Sequence, residues 1–344
     1  MIRTGIVGCG NIAGMHITSL QSLEQVEIKA IADIESERVE KCVRNYQLKN
    51  VHRYSTLEEM LEKEELDVLH ICTPHYLHVS MAMLALKKGI HVFMEKPPAI
   101  TKREFEQLCE EQKRQKREVG ICFQNRYNET SREIQRVLSQ GILGQVKGAR
   151  AFVTWNREVP YYKESGWRGT WEKEGGGVLI NQSIHTLDLL VQFLGEPEMA
   201  EASFCNHHLK GVIDVEDTME AFIKLGGIPV CFYATTAYCE DAPVRIDVVC
   251  EEGCIKMEGN QLLIQQNNGM KQWFDFEKIQ KQETGKTYWG NSHCACIQDF
   301  YQCLESGREF GNNLKSVRNI MKLTMGLYDS AKNHKAVEWG KEQL

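Results

Sequence analysis

Several features that mark other classes of protein are missing from this sequence. No two of its 13 cysteines have the C-x-x-C spacing of a zinc or dithiol site. No apolar stretch approaches the length of a membrane span. Basic residues are not in excess, because the formal net charge is −6, which argues against non-specific binding of nucleic acid. There are no internal repeats and no low-complexity linker.

The cysteines that are present suggest where the protein works. Cys72, Cys122 and Cys231 lie inside apolar runs, where a thiol behaves as a small buried hydrophobe. So many thiols without a pairing pattern indicate a reducing compartment. A strand-like run begins as early as Thr4, which leaves no room for a signal peptide. We therefore expect a cytoplasmic protein.

The order of apolar and helical segments predicts two domains, as the length of 344 residues also suggests. Up to Phe123, short apolar runs alternate with helix-period segments, which is typical of a parallel sheet covered on both faces. From Val146 the chain reads mostly as alternating strands separated by turns. The prediction is an α/β protein with a Rossmann domain over 1–123 and an α+β domain over 124–344. The second domain has a large, mostly antiparallel open sheet with helices on one face.

A glycine-rich segment follows the first predicted strand. The sequence G-C-G-N-I-A at 8–13 matches G-x-G-x-x-G/A and opens a helix, which is the setting this pattern needs to indicate dinucleotide binding. The first glycine permits the tight turn, the second lets a pyrophosphate approach the backbone, and Ala13 keeps the helix close to the strand. The loop residues that we expect to contact the dinucleotide are Gly8, Gly10, Asn11 and Ile12.

An acidic residue at the end of the second predicted strand bears on the choice of cofactor. Asp33 lies about 20 residues beyond the glycine motif, where a carboxylate accepts hydrogen bonds from the ribose hydroxyls. It would repel a 2′-phosphate, which favours NAD over NADP. Arg38 is close enough in sequence to keep NADP open. Asp33 also suits the N-cap of the helix predicted over 35–46.

Two later motifs carry a family resemblance. The segment T-P-H-Y-L-H at 73–78 is followed by a helix ending in Gly89 and then by H-V-F-M-E-K-P at 91–97. The second domain contains G-G-G-V-L-I-N-Q-S-I-H-T-L-D at 175–188. These motifs resemble the Gfo/Idh/MocA family, named for glucose–fructose oxidoreductase, inositol dehydrogenase and rhizopine catabolism. The resemblance covers essentially the whole chain.

The resemblance implies a fold, a reaction and an assembly. The fold is the one already predicted from the residues. The reaction moves a hydride between the nicotinamide of NAD, or NADP, and a secondary hydroxyl or ketone of a sugar, polyol or sugar derivative. Relatives commonly pack the open sheet against another subunit, which implies a homodimer or homotetramer. Residues implied in cofactor binding, beyond the glycine loop, Asp33 and Arg38, are Thr73, Pro74, His75, His78, Glu95, Lys96, Gln124, Trp167 and Arg168.

Oxidation of an alcohol also releases a proton, and Lys96 is the best candidate to accept it. It lies at the carboxyl end of a predicted parallel strand, where ligands bind in open α/β sheets. Desolvation beside a cationic nicotinamide ring would favour the neutral amine. Glu95 is expected to orient Lys96 and the ribose. By resemblance, the bond between Lys96 and Pro97 is expected to be cis.

The second-domain motif supplies further candidates. By resemblance, His185 contacts the reactive hydroxyl of the substrate and shares the proton with Lys96. Asp188, one helical turn later, either orients His185 or satisfies a buried network. Asn181 stands where members similar to inositol dehydrogenase carry aspartate. An amide can pair with a hydroxyl but cannot act as a base, which puts inositol in doubt as the substrate.

Aromatic and basic residues before the triple glycine complete the predicted substrate site. Aromatic faces suit the C–H face of a sugar, and arginine suits hydroxyl, carboxylate or phosphate groups. On this basis Tyr161, Arg168 and Arg126 are candidates for substrate binding, with Asn181 and Asp188. Tyr288 and His293, which precede a C-terminal helix, are weaker candidates.

Two rival functions remain open at this point. Some relatives look like glycosidases that oxidise C3 transiently and recycle a bound NAD, so that no net NADH forms. Alternatively, a protein of this fold can sense a dinucleotide without catalysis, although the retained Lys96 and His185 argue against that function.

Overall fold

The structure, a computed structural model, describes residues 1–276 and 292–340. It divides into two compact units. The first unit consists of Met1–Gln124 and Ser292–Val317, and the second of Asn125–Asn291 and Arg318–Leu344. Within the second unit, 277–291 and 341–344 lie outside the described residues, and so does Tyr288. The boundary predicted from the sequence at residue 123 leaves 292–317 in the second domain, whereas the structure groups that segment with the first unit.

The first unit is built on a parallel six-stranded sheet with the order β3-β2-β1-β4-β5-β6. This is the Rossmann order, and it confirms the predicted fold class for this half of the protein. The strand β4 is buried along its whole length, as expected for a sheet covered on both faces. The strands are β1 (Ile2–Val7), β2 (Val26–Ala32), β3 (His52–Tyr54), β4 (Val68–Ile71), β5 (His91–Met94) and β6 (Val119–Ile121).

Helices connect these strands, and their starts follow from local sequence. Thr56 and Thr101 each accept a hydrogen bond from a backbone N–H three residues later, which satisfies a donor that has no partner within the helix. A 3₁₀ turn, His75–Leu77, leads into the fourth helix. The helices are α1 (Ala13–Gln21), α2 (Ser36–Asn45), α3 (Leu57–Lys63), α4 (His78–Lys87) and α5 (Lys102–Gln115).

The second unit contains a nine-stranded sheet with the order β14-β13-β12-β11-β7-β10-β9-β8-β15. Among the described strands of this sheet only the β7–β10 pair is parallel, so the sheet is mostly antiparallel, as predicted. Its strands are β7 (Val146–Thr154), β8 (Pro197–Cys205), β9 (Thr218–Leu225), β10 (Ile228–Thr235), β11 (Arg245–Cys250), β12 (Gly253–Glu258), β13 (Gln261–Gln266), β14 (Lys271–Asp275) and β15 (Val337–Glu338). The sequence did not predict β14, β15 or the short helix α7 given below.

The helical segment 178–194 is divided in two. A π-helical turn, Val178–Gln182, precedes a regular α-helix that begins at Ile184. Between them, the Ser183 hydroxyl donates to the carbonyl oxygens of Val178 (2.8 Å) and Leu179 (3.1 Å). Wide turns of this kind often occur at functional sites. The helices of this region are α6 (Glu129–Ser139), α7 (Val159–Lys163) and α8 (Ile184–Leu194), and a 3₁₀ turn covers Gln124–Tyr127.

The two closing helices serve different units. The helix α9 (His293–Ser306) belongs to the first unit, where the Phe300 ring packs against Phe93. The helix α10 (Arg318–Asn333) belongs to the second unit. Among the described residues, no helix is long and apolar enough to cross a membrane.

Candidate active site

The loop between β1 and α1 has the geometry that a dinucleotide requires. Gly8 has φ +91°, and a Cβ atom there would lie 2.7 Å from the carbonyl group of Cys72. Only glycine therefore fits at this turn. Beside Gly10, no described heavy atom lies within 4 Å of the position of a Cβ atom, so the backbone is open to a ligand. Ala13 is fully buried at the start of α1.

Asp33 is tied to the glycine loop. One carboxylate oxygen accepts a hydrogen bond from the Cys9 N–H (2.7 Å), and the other accepts from the Glu35 N–H (2.9 Å). Each oxygen keeps a second lone pair for a ribose hydroxyl. Arg38 pairs with the Glu35 carboxylate at 2.9 Å. The two carboxylates at this edge of the sheet oppose a 2′-phosphate.

His78 joins the two motif loops of the first unit. Its ring is fully buried, with Nδ1 2.7 Å from the Pro97 carbonyl oxygen and Nε2 2.9 Å from the Thr73 carbonyl oxygen. Burial lowers the pKa of His78, against the opposing effect of these two hydrogen bonds. His75 is also buried, and its ring lies 5.8 Å from that of His78. The ring of His78 therefore shapes the loops, while its predicted contact with the cofactor stays a prediction.

Lys96 is the partly exposed residue in the segment that follows β5. Of residues 92–99, all are buried except Lys96, which is partly exposed. The loop follows β5 at its carboxyl end, and the peptide bond between Lys96 and Pro97 is cis, as the resemblance implied. Lys96 is thus placed where a parallel sheet binds ligands.

Glu95, which precedes Lys96 in the chain, is held as a buried anion. His16 Nε2 lies 3.1 Å from Glu95 Oε1, and His293 Nε2 lies 4.0 Å from the same oxygen. Burial alone would favour the protonated carboxyl. The hydrogen bond from His16, with the charges of His16, His293 and Lys96, nevertheless holds the pKa of Glu95 well below its usual range. His293, which the sequence left undecided, therefore lies beside this glutamate.

A chain of buried polar groups continues from Glu95 into the core of the first unit. His16 Nδ1 lies 2.8 Å from His70 Nδ1, His70 Nε2 lies 3.0 Å from the Tyr301 hydroxyl, and that hydroxyl lies 2.8 Å from Thr4 Oγ1. Burial lowers the pKa of His70 well below its usual value, which keeps the ring neutral. Since an ionised Glu95 can only accept, His16 Nε2 donates to it, and the neutral ring of His70 supplies one donor and one acceptor to its two partners, His16 and Tyr301.

In the second unit, the motif predicted to bind substrate exposes two side chains. Of residues 174–191, only Asn181 and His185 are partly exposed, and the others are buried. Asn181 belongs to the π-helical turn and His185 to the first turn of α8. They are two of the three positions that the sequence singled out within the motif, and the third, Asp188, is buried.

Aromatic and basic groups surround Asn181. The Tyr161 hydroxyl accepts hydrogen bonds from Asn181 Nδ2 (3.3 Å) and from Gln182 Nε2 (3.1 Å). The Arg168 guanidinium lies over the Tyr161 ring, 4.3 Å from its centroid, and 4.8 Å from that of Trp167. The structure therefore brings Tyr161, Arg168 and Asn181 together, and it adds Gln182, which the sequence did not single out.

A buried carboxyl group in the same cluster was missed by sequence reasoning. Glu174 has no exposed surface. Its Oε1 accepts from Asn181 Nδ2 and its Oε2 from the Gly169 N–H, both at 2.5 Å. Burial raises the pKa of Glu174 to about 7, although these hydrogen bonds and Arg168 oppose the shift. In the sequence it is one of several charges in W-E-K-E-G-G-G, which reads as a solvated segment.

Asp188 and Arg126 form a buried ion pair with each other. Arg126 Nε donates to one carboxylate oxygen at 2.7 Å and Nη2 to the other at 2.5 Å. Their side chains are 1% and 10% exposed, respectively. The pair anchors α8 to the segment before α6. The predicted role of both residues in substrate binding stays a prediction. The predicted roles of Trp167 and of Gln124, which is buried, in cofactor binding also stay predictions.

Comparison with known proteins follows the same division of the chain. Residues 2–123 match a family described as "Oxidoreductase family, NAD-binding Rossmann fold", and residues 131–256 match one described as "GFO/IDH/MocA C-terminal domain". Together these matches cover most of the chain.

Curated relatives include a D-glucoside 3-dehydrogenase of Escherichia coli (strain K12) and a trans-1,2-dihydrobenzene-1,2-diol dehydrogenase of Danio rerio. The first is 27% identical over 57% of this chain, and the match spans only 55% of that protein's length. The second is 30% identical, with 74% of each chain covered.

Solved structures extend the likeness to the whole chain. The WlbA dehydrogenase from Bordetella pertussis, in complex with NADH and UDP-GlcNAcA, has a TM-score of 0.84. The comparison covers 99% of both chains at 24% identity. At that identity the likeness shows the fold.

Proposed function

The chain belongs to the GFO/IDH/MocA family of oxidoreductases, and from that premise we propose that it is an NAD-dependent dehydrogenase of a secondary alcohol in a sugar-like substrate. The observation that carries the proposal is the environment of Lys96. It is the one partly exposed residue of 92–99, and the ionised Glu95 precedes it in the chain.

The first unit offers the groups that would hold NAD. The open backbone at Gly10 and the tight turn at Gly8 leave room for a pyrophosphate, and the start of α1 supplies N–H groups. Asp33 keeps lone pairs for the ribose. NAD, when bound, accepts the hydride. The paired carboxylates Asp33 and Glu35 favour NAD over NADP.

We assign the proton transfer to Lys96. As the neutral amine it takes the proton from the substrate hydroxyl during oxidation, and as the ammonium it returns that proton during reduction. Glu95 supplies a fixed negative charge next to it in the chain, because its hydrogen bond from His16 keeps the carboxyl ionised. A charge that does not titrate near neutral pH holds the ammonium form in place without competing for the proton.

We assign substrate binding to the second unit. We assign His185 and Asn181 to sugar hydroxyls, because they are the two partly exposed side chains of the motif. Tyr161 and Arg168 offer an aromatic face and a cation beside Asn181. A glucoside dehydrogenase among the relatives, and a sugar nucleotide in a solved neighbour, support a hexose derivative as the substrate class.

The proposal is tested by NADH formation with the full-length protein, NAD and a panel of hexosides, hexoses, uronates, inositols and sugar nucleotides. We expect one class to reduce NAD, with kcat lowered by about 10²–10⁴-fold in Lys96→Ala. Lys102→Ala is the matched control, because Lys102 is exposed and its ion pair with Glu106 is long, at 3.9 Å. Unchanged turnover in Lys96→Ala would remove the lysine from the mechanism.

The same panel separates the rival functions. Release of nitrophenol from a nitrophenyl glycoside without net NADH would support glycoside cleavage through transient oxidation at C3, which is the carbon named for the glucoside dehydrogenase relative. Binding of NAD with no turnover of any compound would support a sensing protein. Either result would overturn net dehydrogenation.

We further infer a homodimer or homotetramer formed through the sheet of the second unit. Phe222 on β9 and Val249 on β11 expose 47% and 49% of their surface, and both border the same groove of this sheet. Exposed apolar side chains on an open sheet are typical of an interface. Phe222→Lys is expected to shift the mass measured by light scattering toward the monomer. We also place the protein in the cytoplasm, where its 13 cysteines would stay reduced.

A further inference from the structure

Two cysteines lie at the glycine loop, one within the loop and one on the helix α2. Cys9 stands between Gly8 and Gly10, and Cys42 belongs to the buried side of α2. The two residues are 6% and 7% exposed, respectively. The loop that a dinucleotide approaches and the helix packed against it therefore each carry a thiol.

The two cysteines are in contact with each other. Cys42 Sγ lies 3.9 Å from the carbonyl oxygen of Cys9, and a hydrogen bond links the two thiols. Cys9 Sγ also lies 3.7 Å from the carbonyl oxygen of Ala32, the last residue of β2. Contacts between a thiol and a carbonyl oxygen are weak, so side-chain rotation can bring the two sulfur atoms together at small cost.

This contact makes the two thiols unequal. The hydrogen bond from Cys9 lowers the pKa of Cys42 against the opposing effects of burial and Asp33, and Lys41 acts in the same direction as the hydrogen bond. The same hydrogen bond, together with burial, raises the pKa of Cys9. The thiolate is the form of cysteine that attacks a peroxide. Cys42 is therefore the attacking sulfur, and Cys9 is the thiol that reacts with its product.

We propose that Cys9 and Cys42 form a redox modification site, in which a hydroperoxide joins the two thiols in a disulfide and thereby weakens dinucleotide binding at the glycine loop. The inference depends on the NAD binding that is typical of the family. It does not depend on the substrate or on the reaction proposed above.

The reaction is balanced with hydrogen peroxide as the oxidant. The Cys42 thiolate attacks one peroxide oxygen, the O–O bond breaks, and a sulfenic acid forms on Cys42. The hydroxide that leaves takes up the proton that Cys42 had lost and becomes water. The Cys9 sulfur then attacks the Cys42 sulfur, so that the S–S bond forms and the S–O bond breaks. The hydroxyl leaves with the proton of Cys9 as a second water, and one peroxide has oxidised two thiols.

The disulfide acts on the loop because the loop has little room to adjust. A Cβ atom at Gly8 would lie 2.7 Å from the Cys72 carbonyl group, so the backbone is closely packed there. The Cys9 N–H donates to Asp33 at 2.7 Å, which joins the loop to the carboxylate assigned to the ribose. Pulling Cys9 toward α2 strains this hydrogen bond and displaces Gly10. We expect the Kd for NAD to rise by roughly tenfold, the effect of about one lost hydrogen bond.

A third thiol, Cys72, provides the matched control. It is also buried, and its charge acts on Cys9. Burial raises the pKa of Cys72 well above its usual value, so this residue stays a protonated thiol near neutral pH. Cys72→Ser should therefore leave both the reaction with peroxide and its effect on NAD unchanged.

The test treats the full-length protein with hydrogen peroxide, blocks the remaining thiols and digests the product with trypsin. Mass spectrometry should find peptide 4–29, which carries Cys9, joined to peptide 42–44, which carries Cys42. Cys72 lies in the separate peptide 64–87, so a bond to that thiol is distinguishable. Bound NAD should slow the formation of the link, because a ligand and a modification that oppose each other do so reciprocally.

Calorimetry then measures the affinity for NAD of the reduced protein, the oxidised protein and the oxidised protein treated with dithiothreitol. We expect the rise in Kd to appear on oxidation and to disappear with dithiothreitol. Cys42→Ser should bind NAD as the reduced wild type does and should lose the response to peroxide.

Three results would each overturn the proposal. They are the absence of the joined peptides in the wild type, a link that leaves the Kd unchanged, and a loss of affinity that persists in Cys42→Ser. Mapping of the wild type needs no variant, so poor folding of Cys42→Ser leaves the proposal testable. None of these readings depends on turnover, so an inactive substrate panel would count against the proposed function only.

Discussion

Each unit buries a glutamate next to a candidate site residue, and the pKa values of the two glutamates differ. Glu95 precedes Lys96 in the chain, and Glu174 accepts a hydrogen bond from Asn181. Both carboxyls are buried, yet the pKa of Glu95 is held well below its usual range while that of Glu174 is raised to about 7. Burial is the largest single influence on both. The difference comes from the histidines that face Glu95, since charged partners offset the cost of burying an anion.

Glu216 supports this explanation from within the second unit. It accepts hydrogen bonds from the Gly177 N–H (3.0 Å), the Leu179 N–H (3.0 Å) and the Tyr328 hydroxyl (2.9 Å). Burial still raises its pKa to about 7 against these bonds. Hydrogen bonds from neutral donors therefore do not lower the pKa of a buried carboxyl as far as the charged partners of Glu95 do. The first unit carries a fixed charge beside its lysine, and the second carries carboxyls whose charge changes near neutral pH.

The largest expected effect comes from removing the partner of Glu95. His16→Leu leaves a buried charge without its hydrogen-bond donor, and we expect it to lower the free energy of unfolding by roughly 3–5 kcal/mol at pH 7. Denaturant unfolding followed by circular dichroism measures this. His52→Leu is the control, because that ring is 63% exposed in its pair with Glu64, and it should cost less than about 1 kcal/mol. Equal losses in the two variants would show that His16 does not hold the charge of Glu95.

An intermediate effect is expected for the pH dependence of stability. The pKa of Glu216 is raised in the folded protein, so protonation of Glu216 stabilises the folded state. This stabilisation is fully present below the unfolded pKa near 4.5 and is lost as the pH rises through about 7. The free energy of unfolding of Glu216→Gln should therefore improve relative to wild type by roughly 2–3 kcal/mol between pH 5 and pH 8. A difference that does not change with pH would contradict the raised pKa.

The smallest effect is expected from adding a second carboxyl beside Glu174. In Asn181→Asp, two carboxyls meet at the contact that now joins the amide to Glu174, and like charges raise the pKa of the pair. The upper midpoint, measured by carboxyl carbon NMR, should rise by about one unit, or about 1.4 kcal/mol. Asn268→Asp, in an exposed turn, adds the same charge and should leave the midpoint unchanged. An unchanged midpoint in Asn181→Asp would show that the two groups do not interact.

The sequence predicted the parts of the molecule whose structure is determined by residues close together in the chain. The glycine loop, the continuous apolar strands of the first unit and the alternating strands of the second all have signals within a few residues. The residues that form the buried polar chain behind the ionisation of Glu95 were missed, because they lie far apart in the sequence. His16, His70 and Tyr301 come from α1, β4 and α9, and nothing near Tyr301 indicates that α9 returns to the first unit.

Glu174 was missed for a different reason. A glutamate between lysine and glycines reads as a surface charge, and only the fold reveals that it is fully buried. A polar residue inside an apolar strand, such as His70 in V-L-H-I, is the one signal that could have indicated a buried partner. The roles of Lys96, His185 and Asn181 remain predictions, although the structure leaves these three side chains partly exposed within otherwise buried segments.

The most direct test of the contrast is one carboxyl carbon NMR titration of the protein labelled at its glutamate side chains. Glu95, Glu174 and Glu216 are identified by their loss in the three Glu→Gln variants. We expect Glu174 and Glu216 to titrate with midpoints near 7, while Glu95 stays ionised down to the acid limit of the folded protein. If Glu95 instead titrates together with the other two, burial and not the charged partner decides the ionisation of these carboxyls, and the distinction between the units fails.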